Sequence, residues 1–312
     1  MGTAAIILAA GAGTRMKSKK PKVAHEMLGK PLVNWVIDEA AQAGIDKTVA
    51  VVGHGREFVE PLVAGKAEIA VQEQQRGTAD AVLSTASALE GFKGSVLVLS
   101  GDSPLITAET MKSLIETREA NDAAVVVLTM KLEDPFGYGR IIRDEAGQVE
   151  RIVEQKDASP EEAAVNECNS GFYCFDAEAL FAALAQVGSD NAQGEFYLTD
   201  VIEISRNAGR AVLALQASDN TECLGINSRI QLAQATKIAQ RRINEAHMMG
   251  GVTMTDPDQV WIGPDVTIAQ DVELLPQVFL MGSTSVGEDC RIGPGVYLVD
   301  ETIEDGSVIS PR

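Results

Sequence analysis

The last sixty residues repeat with a period of six. Large aliphatic side chains fall every six residues from Ile262 to Leu298, and after one five-residue step the pattern reaches Ile309. A second register lies four residues further along each repeat, from Val266 to Val296. This period is neither that of a helix nor that of a strand. It is typical of hexapeptide repeats, whose short strands form the flat sides of a parallel β-helix. Because each coil must stack on its neighbours, a short array favours assembly of several chains.

The first 130 residues show a different, alternating pattern. Apolar runs typical of buried strands occupy residues 5–9, 48–52, 96–99 and 123–129, and amphipathic stretches with helical spacing occupy residues 31–43, 79–89 and 108–120. Strands that alternate with helices predict a parallel sheet with helices on both faces. Ligands on such sheets bind beyond the carboxyl ends of the strands, so the loops that follow strands are the places to search for chemistry.

Between these two parts the pattern is mixed. Short strands are predicted at residues 139–143, 149–153, 171–175 and 211–216, together with two or three helices. Residues 228–249 form one long helical pattern, which ends at Gly250 and Gly251. We therefore expect an α/β domain at residues 1–227, a linker helix at 228–250 and a partial β-helix at 251–312.

The composition argues against several classes of function. A net charge of −19 would repel both nucleic acid and anionic membranes. The apolar run near the start is too short for a signal peptide, and no segment reaches the length of a membrane span. Four scattered cysteines without a Cys-x-x-Cys pair favour a cytoplasmic protein. Because the chain has three histidines, we expect any metal to be a hard cation on oxygen ligands.

A glycine-rich loop, Leu8-Ala-Ala-Gly-Ala-Gly-Thr-Arg-Met16, follows the first predicted strand directly. Glycines at this point let backbone N–H groups approach an anion closely. Met16 stands where a dinucleotide fingerprint and a P-loop would each require a glycine, so neither motif is present. The loop therefore predicts a phosphate site of another kind.

Basic residues are concentrated just behind this loop. Five cations occur in eight residues without one acid, at Arg15, Lys17, Lys19, Lys20 and Lys22. The whole chain has 26 basic residues against 45 acidic ones. Positive charge placed behind a glycine loop on an acidic protein suits a polyanion such as a triphosphate. The alternative is a solvated basic loop, and the position after strand one argues against it.

Two further strand ends carry polar groups. Asp102 follows the apolar run at residues 96–99, at the same predicted edge of the sheet as Gly11. For Asp102 alone, a Mg²⁺ ligand and an ordinary cap or turn residue remain equal alternatives. Residues 72–78 could read the edge of a base, or could end in an ordinary N-cap at Thr78.

Taken together, these segments resemble the sugar-nucleotide pyrophosphorylases. Residues 8–31 are similar to their signature G-x-G-T-R-M…P-K. The similarity continues through residues 72–81, 100–106, 134–144, 152–158, 169–176, 191–200 and 225–232. This ordered set is specific to the bacterial N-acetylglucosamine-1-phosphate uridylyltransferases and covers nearly the whole chain. The resemblance implies an α/β, Rossmann-like nucleotidyltransferase domain with a mixed sheet, followed by a long helix and a short left-handed parallel β-helix.

The resemblance also implies a set of site residues. The uridine is expected at Leu8, Ala9, Ala10, Gly11, Gln72, Gly77 and Thr78; the phosphates at Arg15 and Lys22; Mg²⁺ at Asp102 and Asn227; the N-acetylglucosamine at Gly139, Glu154 and Asn169; and further substrate contacts at Ser100 and Gly101. Of these, Arg15, Lys22 and Asp102 are expected to act in catalysis. The chain departs from the family pattern at Ser100, where Tyr is usual, and at Ala79-Asp80, where Gly-His is frequent.

The reaction that the resemblance implies joins UTP and N-acetylglucosamine 1-phosphate into UDP-N-acetylglucosamine, with release of pyrophosphate, in a homotrimer built through the β-helix. Two alternatives remain open: a pyrophosphorylase for another sugar or base, and a non-catalytic oligomerising subunit. The family's second activity, acetyl transfer from acetyl-CoA, uses later β-helix coils than the roughly three before Arg312. We therefore do not expect that activity from this chain, and whether Arg312 is the natural end stays open.

Overall fold

The computed structural model describes residues 2–310 and divides the chain into two compact units. One unit comprises residues 1–25 and 32–227, and the other comprises residues 26–31 and 228–312. The short segment 26–31 thus belongs with the carboxyl-terminal part of the chain, although it lies early in the sequence.

The first unit is built on a mixed sheet. Its strands are β1 (Gly2–Leu8), β4 (Lys47–Val52), β5 (Glu68–Val71), β6 (Gly94–Ser100), β7 (Val125–Lys131), β8 (Arg140–Arg143), β9 (Val149–Val153), β10 (Glu167–Asp176) and β11 (Val212–Gln216). The main strand order is β11-β7-β10-β6-β1-β4-β5, and the β8–β9 hairpin joins through β10. Strand β10 runs antiparallel to β6 and β7, whereas β1 pairs in parallel with β4 and β6. The predicted α/β class and mixed sheet are confirmed.

Helices flank this sheet. Those of the first unit are α1 (Leu32–Gln42), α2 (Arg56–Val63), α3 (Thr78–Leu83), α4 (Ala108–Ala120), α5 (Pro160–Ala163), α6 (Ala177–Leu184) and α7 (Asp200–Asn207). Side chains of β1 alternate between two apolar cores, with Ala4 and Ile6 in one and Ala5 and Ile7 in the other. The central strand is therefore buried on both faces, as its apolar run predicts.

The helix predicted at residues 79–89 is shorter than expected. Helix α3 ends at Leu83 and is followed by turns. The hydroxyls of Ser84 and Thr85 donate to the carbonyls of Ala81 and Val82, three residues earlier, at 2.6 Å each. Serine and threonine compete in this way with the helical backbone pattern, so the amphipathic spacing alone overestimates the helix.

The second unit contains the long helix α8 (Arg229–Met249), the hairpin β2 (Glu26–Met27) and β3 (Lys30–Pro31), and the repeat region. The repeat strands are β12 (Thr253–Met254), β13 (Trp261–Ile262), β14 (Thr267–Ile268), β15 (Glu273–Leu274), β16 (Phe279–Met281), β17 (Ser285–Val286), β18 (Arg291–Ile292), β19 (Tyr297–Val299), β20 (Thr302–Ile303) and β21 (Val308–Ile309). They form three parallel ladders, β12-β15-β18-β21, β13-β16-β19 and β14-β17-β20. The predicted short left-handed parallel β-helix is confirmed.

The side chains at both sets of six-residue positions are buried or partly buried inside the β-helix. Ile262, Leu274 and Leu280 of the first register are fully buried, and Val272 and Val278 of the second are fully buried as well. No helix among residues 2–310 combines the length and the apolar content that a membrane crossing requires.

Candidate active site

A cavity of about 300 Å³ opens in the first unit, where the carboxyl ends of β1 and β6 lie in register at Leu8 and Ser100. The cavity is lined by Leu8, Ala10, Gly11, Lys22, Gln72, Gln75, Gly77, Thr78, Ala81, Ser100, Asp102 and Glu195. Most of the predicted nucleotide-binding residues are thus brought together at one edge of the sheet, the edge that parallel strands favour for ligands.

The glycine loop after β1 is held by the neighbouring strands and packs on Lys22. The amide of Ala9 donates to the Val51 carbonyl at 2.9 Å, and the amide of Gly101 donates to the Leu8 carbonyl at 3.0 Å. Gly13 has a φ of 64°, and a Cβ there would lie 2.7 Å from Cβ of Lys22. The absence of a side chain at Gly13 therefore allows Lys22 to enter the cavity.

Lys22, Asp102 and Asn227 meet beside the loop. The ammonium of Lys22 forms an ion pair with Oδ2 of Asp102 and donates to Oδ1 of Asn227 at 3.0 Å. The amide of Ile226 donates to the Asp102 carbonyl at 2.8 Å, which fixes the approach of this distant segment. Asp102 is 7% exposed, and its carboxylate faces a cation, while the following helix α4 is capped by Thr107. Asp102 therefore does not cap this helix, but it does lie in a turn, so the turn-residue alternative stays open beside the role of metal ligand.

The loop between β5 and α3 forms the opposite wall. Nε2 of Gln72 donates to the Gly77 carbonyl at 3.1 Å and to Oδ2 of Asp80 at 2.9 Å. Gly77 itself is the N-cap of α3, and Thr78 is the first helical residue. Oγ1 of Thr78 instead accepts a hydrogen bond from the Leu198 amide at 2.9 Å. The alternative that Thr78 merely caps a helix is wrong.

The three residues predicted for the sugar form a second cluster. The amide of Asn169 donates to the Gly139 carbonyl at 2.9 Å. A Cβ at Gly139 would lie 3.6 Å from Oε1 of Glu154 and 3.5 Å from Cβ of Asn169. Burial raises the pKa of Glu154, and a hydrogen bond of 3.3 Å from Oγ1 of Thr199 opposes this rise. A Cβ at Gly171 would lie 3.7 Å from Oγ of Ser100, so this cluster adjoins the cavity.

The amide of Asn169 is held on both sides. Its Nδ2 donates to the hydroxyl of Tyr173 at 2.7 Å, and its Oδ1 accepts from the Gly171 amide at 3.0 Å. Tyr173 is 3% exposed, so this anchor is buried.

Other predicted residues lie outside the cavity lining. Ala9 is buried in the core, and Gly101 packs against the backbone of Leu8. Arg15 is exposed in a single 3-10 turn, Thr14–Met16. Sequence reasoning missed the lining residues Gln75, Ala81 and Glu195. All three lie in the segments 72–81 and 191–200 that carry the resemblance, but nothing in their residue types distinguishes them from their neighbours.

Comparison with known proteins agrees with this architecture. Residues 4–261 match the nucleotidyl transferase family. The chain is 52% identical over 305 residues to "Bifunctional protein GlmU" of Lactobacillus johnsonii, covering 98% of this chain and 66% of that protein. It is 48% identical over 305 residues to the protein of the same name from Halalkalibacterium halodurans, covering 98% and 67%. The chain thus spans about two thirds of the length of these relatives.

A solved structure shows the same fold. The crystal structure of UDP-glucose pyrophosphorylase complexed with UDP-glucose superposes with a TM-score of 0.59 at 20% identity, over 78% of this chain and 100% of that one. Because the match to the family covers residues 4–261, which are most of the chain, the chain belongs to the nucleotidyl transferase family.

Proposed function

We propose that the chain transfers the uridylyl group of UTP to N-acetylglucosamine 1-phosphate, which yields UDP-N-acetylglucosamine and pyrophosphate. The observation that carries this proposal is the convergence of three side chains at the strand ends: Lys22 and Asp102 line the cavity, and Asn227 accepts a hydrogen bond from Lys22 beside it. The adjoining cluster of Glu154 and Asn169 supplies room and hydrogen-bonding groups for a second substrate. Two relatives that are 52% and 48% identical to the chain and share one name support the choice of reaction.

The donor set beside the loop fits Mg²⁺. Asp102 and Asn227 offer one carboxylate oxygen and one amide oxygen, and both already face the ammonium of Lys22, which stands in for a cation. Among residues 2–310 no group of three or more His, Cys, Asp or Glu side chains could hold a metal. Mg²⁺ commonly binds one or two protein oxygens and takes its other ligands from substrate phosphates and water. When bound, it would supply positive charge against the triphosphate.

The proposed chemistry needs little from the protein beyond positioning and charge. An oxygen of the sugar phosphate attacks the α-phosphorus of UTP, the new P–O bond forms, and the bond to the β-phosphate bridge breaks so that pyrophosphate leaves. Because a phosphate monoester is already a nucleophile, no strong general base is required. Lys22 neutralises phosphate charge in the cavity, and the backbone of the glycine loop lies beside it.

We propose that Glu154, Asn169 and the Gly139 backbone hold the sugar. A carboxylate that accepts hydrogen bonds and an amide already anchored by Tyr173 suit hydroxyl and acetamido groups. The absence of a side chain at Gly139 keeps the space beside Oε1 of Glu154 open.

We also propose that the chain is cytoplasmic and assembles as a homotrimer through the β-helix. Tyr297, Val299 and Val308 expose large apolar side chains on the repeat region. Exposed apolar surface on a short repeat array favours association with further copies. Light scattering on the intact chain tests the proposed trimer, and a monomer would refute it.

Pyrophosphate release measured with a panel of substrates tests the reaction. We expect release with UTP plus N-acetylglucosamine 1-phosphate, and much slower release with other nucleoside triphosphates or with glucose 1-phosphate. Preference for another pair would favour a different pyrophosphorylase. Absence of release with every pair would favour the non-catalytic alternative.

A further inference from the structure

Asp80 stands where the resembling family often carries histidine, and it joins Gln72, which lines the cavity, to Arg76, which does not. Its Oδ2 accepts from Nε2 of Gln72 at 2.9 Å. Its Oδ1 accepts from Nη2 of Arg76 at 2.6 Å and from Nε of the same guanidinium at 3.2 Å. Asp80 lies in the first turn of α3 and is not among the residues that line the cavity.

These contacts determine which way the Gln72 amide points. Both partners of its side chain, the Gly77 carbonyl and the Asp80 carboxylate, can only accept hydrogen bonds. The amide group facing them must therefore be the NH₂ end, because the reverse orientation would oppose oxygen to oxygen. Gln72 is 5% exposed, so the side chain has little freedom to reorient.

The orientation leaves an acceptor for the ligand. The side-chain hydrogen bonds that Gln72 makes within residues 2–310 are both donated by Nε2. Oε1 is then the polar atom that Gln72 offers to the cavity it lines. A pyrimidine with an N3–H donor matches this oxygen, whereas cytosine carries an acceptor at N3. A cytosine base would oppose two acceptors in a mostly buried position, which is unfavourable.

We propose that Asp80 is a positioning residue that sets base choice, since it holds Gln72 with its acceptor toward the base and so selects uracil over cytosine. The inference rests on the proposed function, because it places the base of the nucleotide against Gln72. Asp80 acts through Gln72 and does not itself contact the substrate.

Arg76 provides a matched control. Its side chain is 58% exposed, and its guanidinium pairs with the other oxygen of Asp80. Removing Arg76 breaks the ion pair but leaves the contact between Asp80 and Gln72 in place. If the preference for uracil depended only on local charge, Arg76→Ala would lower it. If the preference depends on the orientation of the Gln72 amide, the loss of the Asp80 acceptor should lower it and the loss of Arg76 should not.

The experiment compares kcat/KM for UTP and for CTP, with N-acetylglucosamine 1-phosphate as co-substrate. Asp80→Ala and Asp80→Leu both remove the carboxylate acceptor and leave Nε2 of Gln72 only the longer contact with the Gly77 carbonyl. The leucine variant retains volume if the alanine variant fails to fold. We expect the UTP to CTP ratio to fall about tenfold or more in both. Asp80→Asn keeps one acceptor for Gln72, so that variant and Arg76→Ala should retain the wild-type ratio within about threefold.

Binding of UDP and CDP, measured by titration calorimetry on the same proteins, gives a second readout that does not depend on turnover. If the alanine and leucine variants lost affinity for UDP and CDP equally, Asp80 would have a merely structural role and the inference would be overturned. Equal binding of UDP and CDP by the wild type would overturn it as well. A wild type that prefers UDP in binding but forms no product would refute the proposed function and leave the inference standing.

Discussion

Gly77→Ala is the substitution for which the structure gives the most definite expectation. Gly77 has a φ of 127° and a ψ of 177°, a backbone region that is essentially restricted to glycine. A Cβ at this position would lie 2.3 Å from the carbonyl oxygen of Phe196 and 2.6 Å from its nitrogen. Both distances are far inside van der Waals contact, so the backbone at Phe196 must move.

That movement has a calculable cost. Phe196 is held by two backbone hydrogen bonds, from its own amide to the Arg76 carbonyl at 2.8 Å and to its carbonyl from the Ala79 amide at 2.9 Å. Each bond contributes about 1 kcal/mol. The unfavourable backbone conformation adds about 1–3 kcal/mol. We therefore expect a loss of about 3–5 kcal/mol, and a fall in melting temperature of roughly 10 °C for a unit of this size.

Thermal unfolding followed by circular dichroism measures the loss, and steady-state kinetics measures its effect on UTP. The KM for UTP should rise, because the Gly77 carbonyl that accepts from Gln72 moves with the loop. Gly147→Ala is the matched control, since Gly147 also has a positive φ, of 77°, but a Cβ there meets no atom within 4 Å. It should cost only about 1–2 kcal/mol. The steric argument is refuted if Gly77→Ala has the same melting temperature as Gly147→Ala and an unchanged KM for UTP.

Three further predictions concern the proposed metal ligands, the proposed sugar site and a half-buried carboxyl at the start of α7. Asp102→Ala and Asn227→Ala should each lower kcat about 10²-fold or more and weaken Mg²⁺ binding in calorimetry, whereas Glu116→Ala, on the exposed face of α4, should change neither. Glu154→Gln should raise the KM for N-acetylglucosamine 1-phosphate about tenfold while the KM for UTP stays within about threefold, and equal changes in both would remove Glu154 from the sugar site. Burial raises the pKa of Asp200 to about 6 from an ordinary 3.8, with Glu203 and Asp157 adding to the rise. The neutral form of this half-buried carboxyl is favoured by folding, so its stabilising contribution is present below pH 3.8 and is lost as the pH rises through about 6. Asp200→Asn should therefore raise the free energy of unfolding by about 1 kcal/mol at pH 8 and by less at pH 4, as chemical denaturation would show.

The sequence predicts well those elements that bury either one regular face or both faces in an apolar core. The apolar run of β1 marks a strand covered on both faces, and the six-residue register marks the inside of the coils. Strand β10 was predicted only at residues 171–175, but it spans Glu167–Asp176. Its first half is polar, and the pairing with β7 shifts between Asn169 and Tyr173, so no apolar pattern marks it.

The candidate site depends on contacts that local patterns cannot show. Lys22 and Asn227 are hydrogen-bonded although 205 positions separate them, and the resemblance alone suggested the pair. The contact between Gln72 and Asp80 crosses a loop whose path is set by Phe196 and Leu198, from a distant segment. Only the folded backbone brings these groups within hydrogen-bonding distance.

Transfer of isotopic label tests the central claim most directly. With UTP labelled at the α-phosphate, N-acetylglucosamine 1-phosphate and Mg²⁺, we expect the label to appear in UDP-N-acetylglucosamine and the pyrophosphate to be unlabelled. With label at the γ-phosphate, the pyrophosphate should carry it instead. In Asp102→Ala the rate of both transfers should fall about 10²-fold or more. Failure of α-label to enter a sugar nucleotide in the wild-type protein, under conditions in which the chain is folded and binds UTP, would contradict the account.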